Sequence, residues 1–102
     1  MRFLVITKSA GPVPPEAAID LFDALSGWAK DLLAKGKLEQ TWAFAGLQAG
    51  GGIFNVESLE ELDSVMGSFP LAAFSSIEIL GLVDLEASLE TSKAAVRAMM
   101  PH

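Results

Sequence analysis

Twenty residues in the middle of the chain, Lys37 to Val56, read KLEQTWAFAGLQAGGGIFNV. Leu38, Trp42 and Phe44 fall on one parity, and Thr41, Ala43 and Ala45 on the other. After the glycines, Ile53, Phe54 and Val56 resume a run of branched and aromatic residues. Alternation of this kind predicts two β-strands joined by a glycine-rich turn. The pairing with one large-residue face sets Phe44 opposite Phe54, Trp42 opposite Val56 and Ala43 opposite Asn55.

The flanking segments supply the rest of a two-layer fold. Arg2 to Lys8 reads as a first strand that is apolar on both faces, with Leu4 and Ile6 on one and Phe3 and Val5 on the other. The cluster Ala10 to Pro15 breaks it, and Pro14 or Pro15 with Glu16 suits a helix start. Ala18, Leu21, Phe22, Leu25, Trp28, Ala29, Leu32 and Leu33 form a broad stripe at helical spacing up to about Lys35, where Gly36 supplies the left-handed cap. Trp28 on this stripe reads as core. Ser58 and Glu61 form a capping box that opens a second helix, ended at Gly67. The apolar connection Phe69 to Phe74 is expected to pack on the domain or on a partner.

Ser76 to Leu85 reads as the last strand. Antiparallel to the first, a register with Arg2 opposite Asp84 and Lys8 opposite Glu78 puts Leu4–Leu82 and Ile6–Leu80 between two opposite-charge pairs. An alanine-rich helix follows from Glu86 to Met100, with Leu85, Leu89, Val96 and Met99 on one side and an internal Glu90–Lys93 pair. It is either a lid on its own subunit or an arm onto a neighbour.

The order β-α-β-β-α-β plus a C-terminal helix is that of an α+β, ferredoxin-like antiparallel sheet. One domain spans 1–102, with a core over 1–85 and the helix over 86–102. Apolar residues make up 51% of the chain, and its 9 glycines raise that to roughly 60%, against about 45–50% for an average domain. So small a domain has little interior to hold the excess, which therefore belongs to a permanent subunit interface. Two such sheets meeting face to face would bury it.

Several function classes fall away. There is no cysteine and no tyrosine, and the one histidine is His102, so neither a His-based triad nor a metal site is expected. The net charge of -6 makes nucleic acid a poor partner. No run is long enough for a membrane span, and the opening MRFLVITK is too short for a signal peptide. Three consecutive glycines, Gly50 to Gly52, lack both the Gly-Lys-Ser/Thr ending and the GxGxxG spacing of a phosphate loop.

Gly36, Trp42 with Ala45-Gly46, Phe54 and Val56, Ser58 with Leu62, Pro70-Leu71, Ile77-Glu78 and Gly81-Leu82 together resemble the muconolactone isomerase family. The resemblance implies a dimeric α/β barrel that combines into larger rings, and a cytoplasmic, cofactor-free isomerase. Such an enzyme moves a proton within a small unsaturated lactone or cyclic acid during aromatic catabolism. The wider superfamily also holds cofactor-free monooxygenases and proteins that bind or assemble without catalysis. Where those isomerases carry basic and polar aromatic residues along the hairpin, this chain has Glu39, Gln40, Ala43, Leu47 and Gln48.

A proton shift beside a carbonyl needs a base of raised pKa and a donor for the developing enolate. The hairpin offers Glu39 as base and Asn55 as donor, with Thr41 beside them and Trp42 and Phe44 as walls. The plainer reading of Glu39 is a solvated strand-end carboxylate. Lys8 and Glu78 form a second candidate pair, able to hold a substrate carboxylate or simply to bridge two strands. The expected partners are a small-molecule ligand and further copies of the chain, with no nucleic acid and no membrane.

Overall fold

The computed structural model describes residues 1–101, so His102 lies outside the described residues. Strand β1 spans Arg2–Ser9, helix α1 Pro15–Ala34, β2 Leu38–Ala43 and β3 Ala49–Asn55. Helix α2 spans Leu59–Met66, β4 Ser75–Leu82 and α3 Leu85–Met99. The four strands form one antiparallel sheet in the order β2-β3-β1-β4. That is the ferredoxin-like arrangement expected from the sequence.

The core sits on one face of this sheet. Phe3 and Val5 of β1, Leu38 of β2 and Phe54 of β3 are buried there against Leu32, Leu62 and Met66 of the helices. Pro15 occupies the first turn of α1. A Schellman motif ends the helix: Lys37 N–H donates to the Leu32 carbonyl and Gly36 N–H to that of Leu33. In α2, Glu61 N–H donates to Ser58 Oγ as the capping box requires. The return bond differs from expectation, because the Glu61 carboxylate accepts from the backbone of Glu57 and not of Ser58.

The hairpin register is not the expected one. Thr41 pairs with Gly52, Trp42 with Gly51 and Ala43 with Gly50, after a bulge between Leu38 and Gln40. Phe44 does not face Phe54, which pairs with Leu38 instead. The turn lies earlier, at Phe44–Leu47, with Gly46 at its third position and a φ of 74° that a type II turn needs. The triple glycine is strand, not turn. A Cβ on Gly51 would lie 2.7 Å from the Val5 carbonyl oxygen, so a side chain there would hold β1 off.

The β1–β4 register is also two residues away from the expected one. Arg2 pairs with Leu82, Leu4 with Leu80, Ile6 with Glu78 and Lys8 with Ser76. A slip of two leaves every side chain on its own face, so the apolar pattern does not distinguish the two registers. Surface ion pairs are worth about 0–1 kcal/mol and are too weak to decide it. Strand β4 ends at Leu82, and Asp84 caps α3 by accepting from Ala87 N–H at 3.1 Å.

Two surfaces remain uncovered. On the sheet face opposite the helices, Leu4, Ile6 and Ile53 are half-buried, while Leu80 and Leu82 are 44% and 41% exposed. Helix α3 buries none of its side chains. The radius of gyration is 17.7 Å and the extents are 68 × 28 × 23 Å. A compact domain of this length has a radius near about 13 Å, so α3 stands off the body.

Candidate functional site

An apolar cavity of about 890 Å³ lies between α1 and the sheet. Its helix wall is Phe22, Leu25 and Trp28, and the connection before β4 closes one side with Phe69 and Phe74. Its sheet wall comes from Thr7, Thr41 and Ala43 and from Gly50 and Gly51, where glycine leaves only backbone. The mouth is bordered by Lys8 and Ser9 at the end of β1 and by Leu47 and Gln48 of the hairpin turn.

Helix spacing and a local hydrogen bond fix the deep end. Trp28 Nε1–H donates to Ser68 Oγ at 2.9 Å, and Ser68 donates in turn to the Val65 carbonyl at 2.8 Å. This ties the indole to the end of α2. Its ring centroid is 5.3 Å from that of Phe69 and 6.1 Å from that of Phe54, within the range of favourable tilted aromatic pairs. Trp28 is therefore both core and cavity wall.

The expected site residues divide between the cavity and the rest of the surface. Thr41, Trp42 and Lys8 border the cavity. Thr41 Oγ1 donates to the Gly51 carbonyl at 2.9 Å, and the Trp42 indole lies beside Gly51. Glu39 and Asn55 stand outside the cavity. The Glu39 carboxylate accepts from Arg2 Nε–H at 3.0 Å, in a partly exposed ion pair. Asn55 pairs with Arg2 in the sheet and borders a smaller depression with Lys35, Lys37 and Glu61. Phe44 is half-buried at the end of β2, where its N–H donates to the Ala49 carbonyl. Glu78 lies opposite Ile6, and no ion pair joins it to Lys8.

Sequence reasoning missed most of the cavity. Ser26 and Gln48 border it, as do Phe22 and Leu47, which are 53% and 65% exposed. Phe22 was visible as part of the α1 stripe, but periodicity does not tell a core position from a cavity wall.

The electrostatics of the cavity are sparse. Lys8 is the only charged one of the described residues that borders it. Among the described residues no polar or charged side chain is buried, and no cluster of three metal-ligating side chains occurs. The one resolved pKa shift lies elsewhere: the hydrogen bond from Lys37 holds the Glu61 carboxyl below the usual carboxylate range, helped by the Glu57 N–H. A single subunit thus offers an apolar chamber with hydroxyl and amide donors and one cation at its mouth. Among the described residues no carboxylate borders it.

Comparison with known proteins follows this outline. The model of the family described as Muconolactone delta-isomerase matches residues 1–87, ending three residues into α3. The muconolactone Delta-isomerase of Acinetobacter baylyi is 29% identical over 70 residues, covering 69% of this chain and 73% of that protein. That of Rhodococcus opacus is 33% identical over 55 residues, covering 54% of this chain and 59% of that protein. A muconolactone isomerase crystal structure at 3.3 Å superposes with a TM-score of 0.75 at 30% identity, over 82% of this chain and 90% of that one. The 5-chloro-2-hydroxyhydroquinone dehydrochlorinase of Burkholderia phenoliruptrix, in complex with 2,5-dihydroxybenzoquinone, superposes with a TM-score of 0.67 at 19% identity. It covers 85% of this chain and 98% of that one, and is a likeness of fold alone.

Proposed function

The chain belongs to the muconolactone Delta-isomerase family, and on that premise we propose that it is a cofactor-independent isomerase of aromatic catabolism acting on a small unsaturated lactone or cyclic acid. The observation that carries this reading is the extent of the family match: residues 1–87 hold all four strands, α1, α2 and every residue that borders the cavity. The binding-only and monooxygenase readings find no comparable support.

The reaction moves a proton from one carbon of the lactone to another through an enolate. Lys8 serves as the counter-charge for a substrate carboxylate at the mouth. Gln48 supplies an amide donor near the lactone carbonyl, while the Thr41 hydroxyl, whose hydrogen goes to the Gly51 carbonyl, lines the site as an acceptor. Glu39 is held by Arg2 outside the cavity, so it is the weaker candidate for the base.

The functional unit is an oligomer in this reading. The open sheet face of Leu4, Ile6, Ile53, Leu80 and Leu82 meets the same face of a second copy, and α3 reaches across as an arm. Among the described residues no carboxylate borders the chamber, and in this reading the proton acceptor is a carboxylate of the second copy's α3 arm, which carries Glu86 and Glu90. No helix among the described residues is long and apolar enough to cross a membrane. The cytoplasmic location is part of the proposal and rests on the family membership.

The test is turnover of muconolactone by the full chain without added metal or cofactor, followed by ultraviolet absorbance as the double bond moves. Turnover is expected, and Lys8→Gln should raise KM roughly tenfold with a smaller effect on kcat, through loss of one charge-assisted contact. Absence of turnover with every unsaturated lactone tried would overturn the proposal.

A further inference from the structure

We propose that the substrate of this site is bulkier and more apolar than a carboxymethyl lactone: a butenolide carrying an aryl substituent on its ring. This rests on the isomerase reading above and narrows the class of its substrate.

The first observation is size. A chamber of about 890 Å³ lies toward the upper end of the roughly 300–1,000 Å³ that a drug-sized ligand occupies. A single lactone ring with one short acidic arm fills a small part of that. The second observation is the character of the walls. Phe22 on α1 and Leu47 in the hairpin turn border the chamber with 53% and 65% of their surface in water. Large apolar side chains left open around a concave site are covered when an apolar body enters. The third observation is the floor. Gly50, opposite Thr7 on the helix side of the sheet, presents backbone where a side chain would take up space, and a Cβ there would lie 2.8 Å from the Trp42 carbonyl oxygen. The depth is therefore fixed by the packing of β2 on β3 and is not a gap that a rotamer can close. Charge points the same way, since the chamber has one cation at its mouth and none within. An aryl group fits inside, between Trp28 and Phe22, and the single anionic end stays at Lys8.

Of the chain's two tryptophans, Trp28 lies in the wall of this chamber and its emission reports occupancy, while Trp42, which the register puts on the Ile6 face of the sheet, is background. The experiment titrates the full-length oligomer with carboxymethyl butenolide and with its phenyl-substituted analogue, following tryptophan emission and confirming by calorimetry. The expected result is binding of the phenyl analogue at least about tenfold tighter, because burying several ring carbons is worth that much or more. In Phe22→Ala that advantage should shrink severalfold, and because Phe22 is half in water the fold does not depend on it. Equal or weaker binding of the phenyl analogue would overturn the proposal and leave Phe22 and Leu47 to be covered by the second copy. An advantage undiminished in Phe22→Ala would also contradict it. Tight binding of the phenyl analogue with no turnover of either compound would support this assignment while removing the isomerase reading, so the two fail separately.

Discussion

Helices α1 and α3 carry the same kind of apolar stripe and meet opposite fates. On α1, Leu25, Trp28, Ala29 and Leu32 pack on the core that holds Phe54 and Leu62. On α3, Leu85, Leu89, Val96 and Met99 recur at helical spacing and all stay in water. The two faces of the sheet repeat the contrast: Phe3 and Val5 are buried, whereas Leu80 and Leu82 on the other side are not. Periodicity marks which face of an element is apolar, and it says nothing of what lies against that face. A stripe that costs free energy in water is settled by a neighbour, and in the proposed assembly the neighbour of α3 and of the open sheet face is another copy of the chain.

Substitutions on the two sides should behave differently. Leu62 has no exposed surface, so Leu62→Ala should cost about 2–5 kcal/mol, read as a lower urea midpoint at every protein concentration. Leu80→Asp places a charge on the open sheet face. It should weaken assembly roughly a hundredfold or more without unfolding the subunit, seen as dissociation by light scattering with an unchanged circular dichroism spectrum. If Leu80→Asp lowered the urea midpoint of the subunit as Leu62→Ala is expected to, the distinction between the two faces would be lost. Ser58→Ala removes the α2 cap on the buried side and should cost about 1 kcal/mol with no change in assembly, measured by the same melts.

The smallest effect comes from the Lys37–Glu61 pair. The folded pKa of Glu61 lies below its ordinary value of 4.5, so its stabilising contribution is present above that value. It fades as pH falls through the lowered folded pKa. Glu61→Gln should flatten the acid limb of stability against pH and leave the oligomer intact, and an unchanged limb would show that the pair contributes nothing.

The elements of the fold were legible because each carried its own local signal. Pro15, Gly36, Ser58 and Gly67 mark helix ends that the structure reproduces within a residue or so. Registers were not legible. Gly50 to Gly52 looked like a turn because glycine is uncommon inside strands, yet close approach of β1 and β2 requires it there. The true turn was signalled by the quieter pair Ala45-Gly46. The Arg2–Asp84 and Lys8–Glu78 pairs did not form because a slip of two keeps the apolar faces intact and exposed ion pairs are too weak to oppose it; Arg2 pairs with Glu39 instead. The candidate site was legible in part: Lys8, Thr41 and Trp42 border the cavity, but its depth depends on α1 and on the connection before β4. No pattern within the hairpin reveals those.

Assembly is measured most directly by sedimentation equilibrium of the full chain over a range from nanomolar to tens of micromolar. The proposed assembly predicts a dimer or larger closed oligomer at micromolar concentration, reversed by Leu80→Asp. A chain of 10.8 kDa that remains single across that range, with α3 still helical, would contradict it.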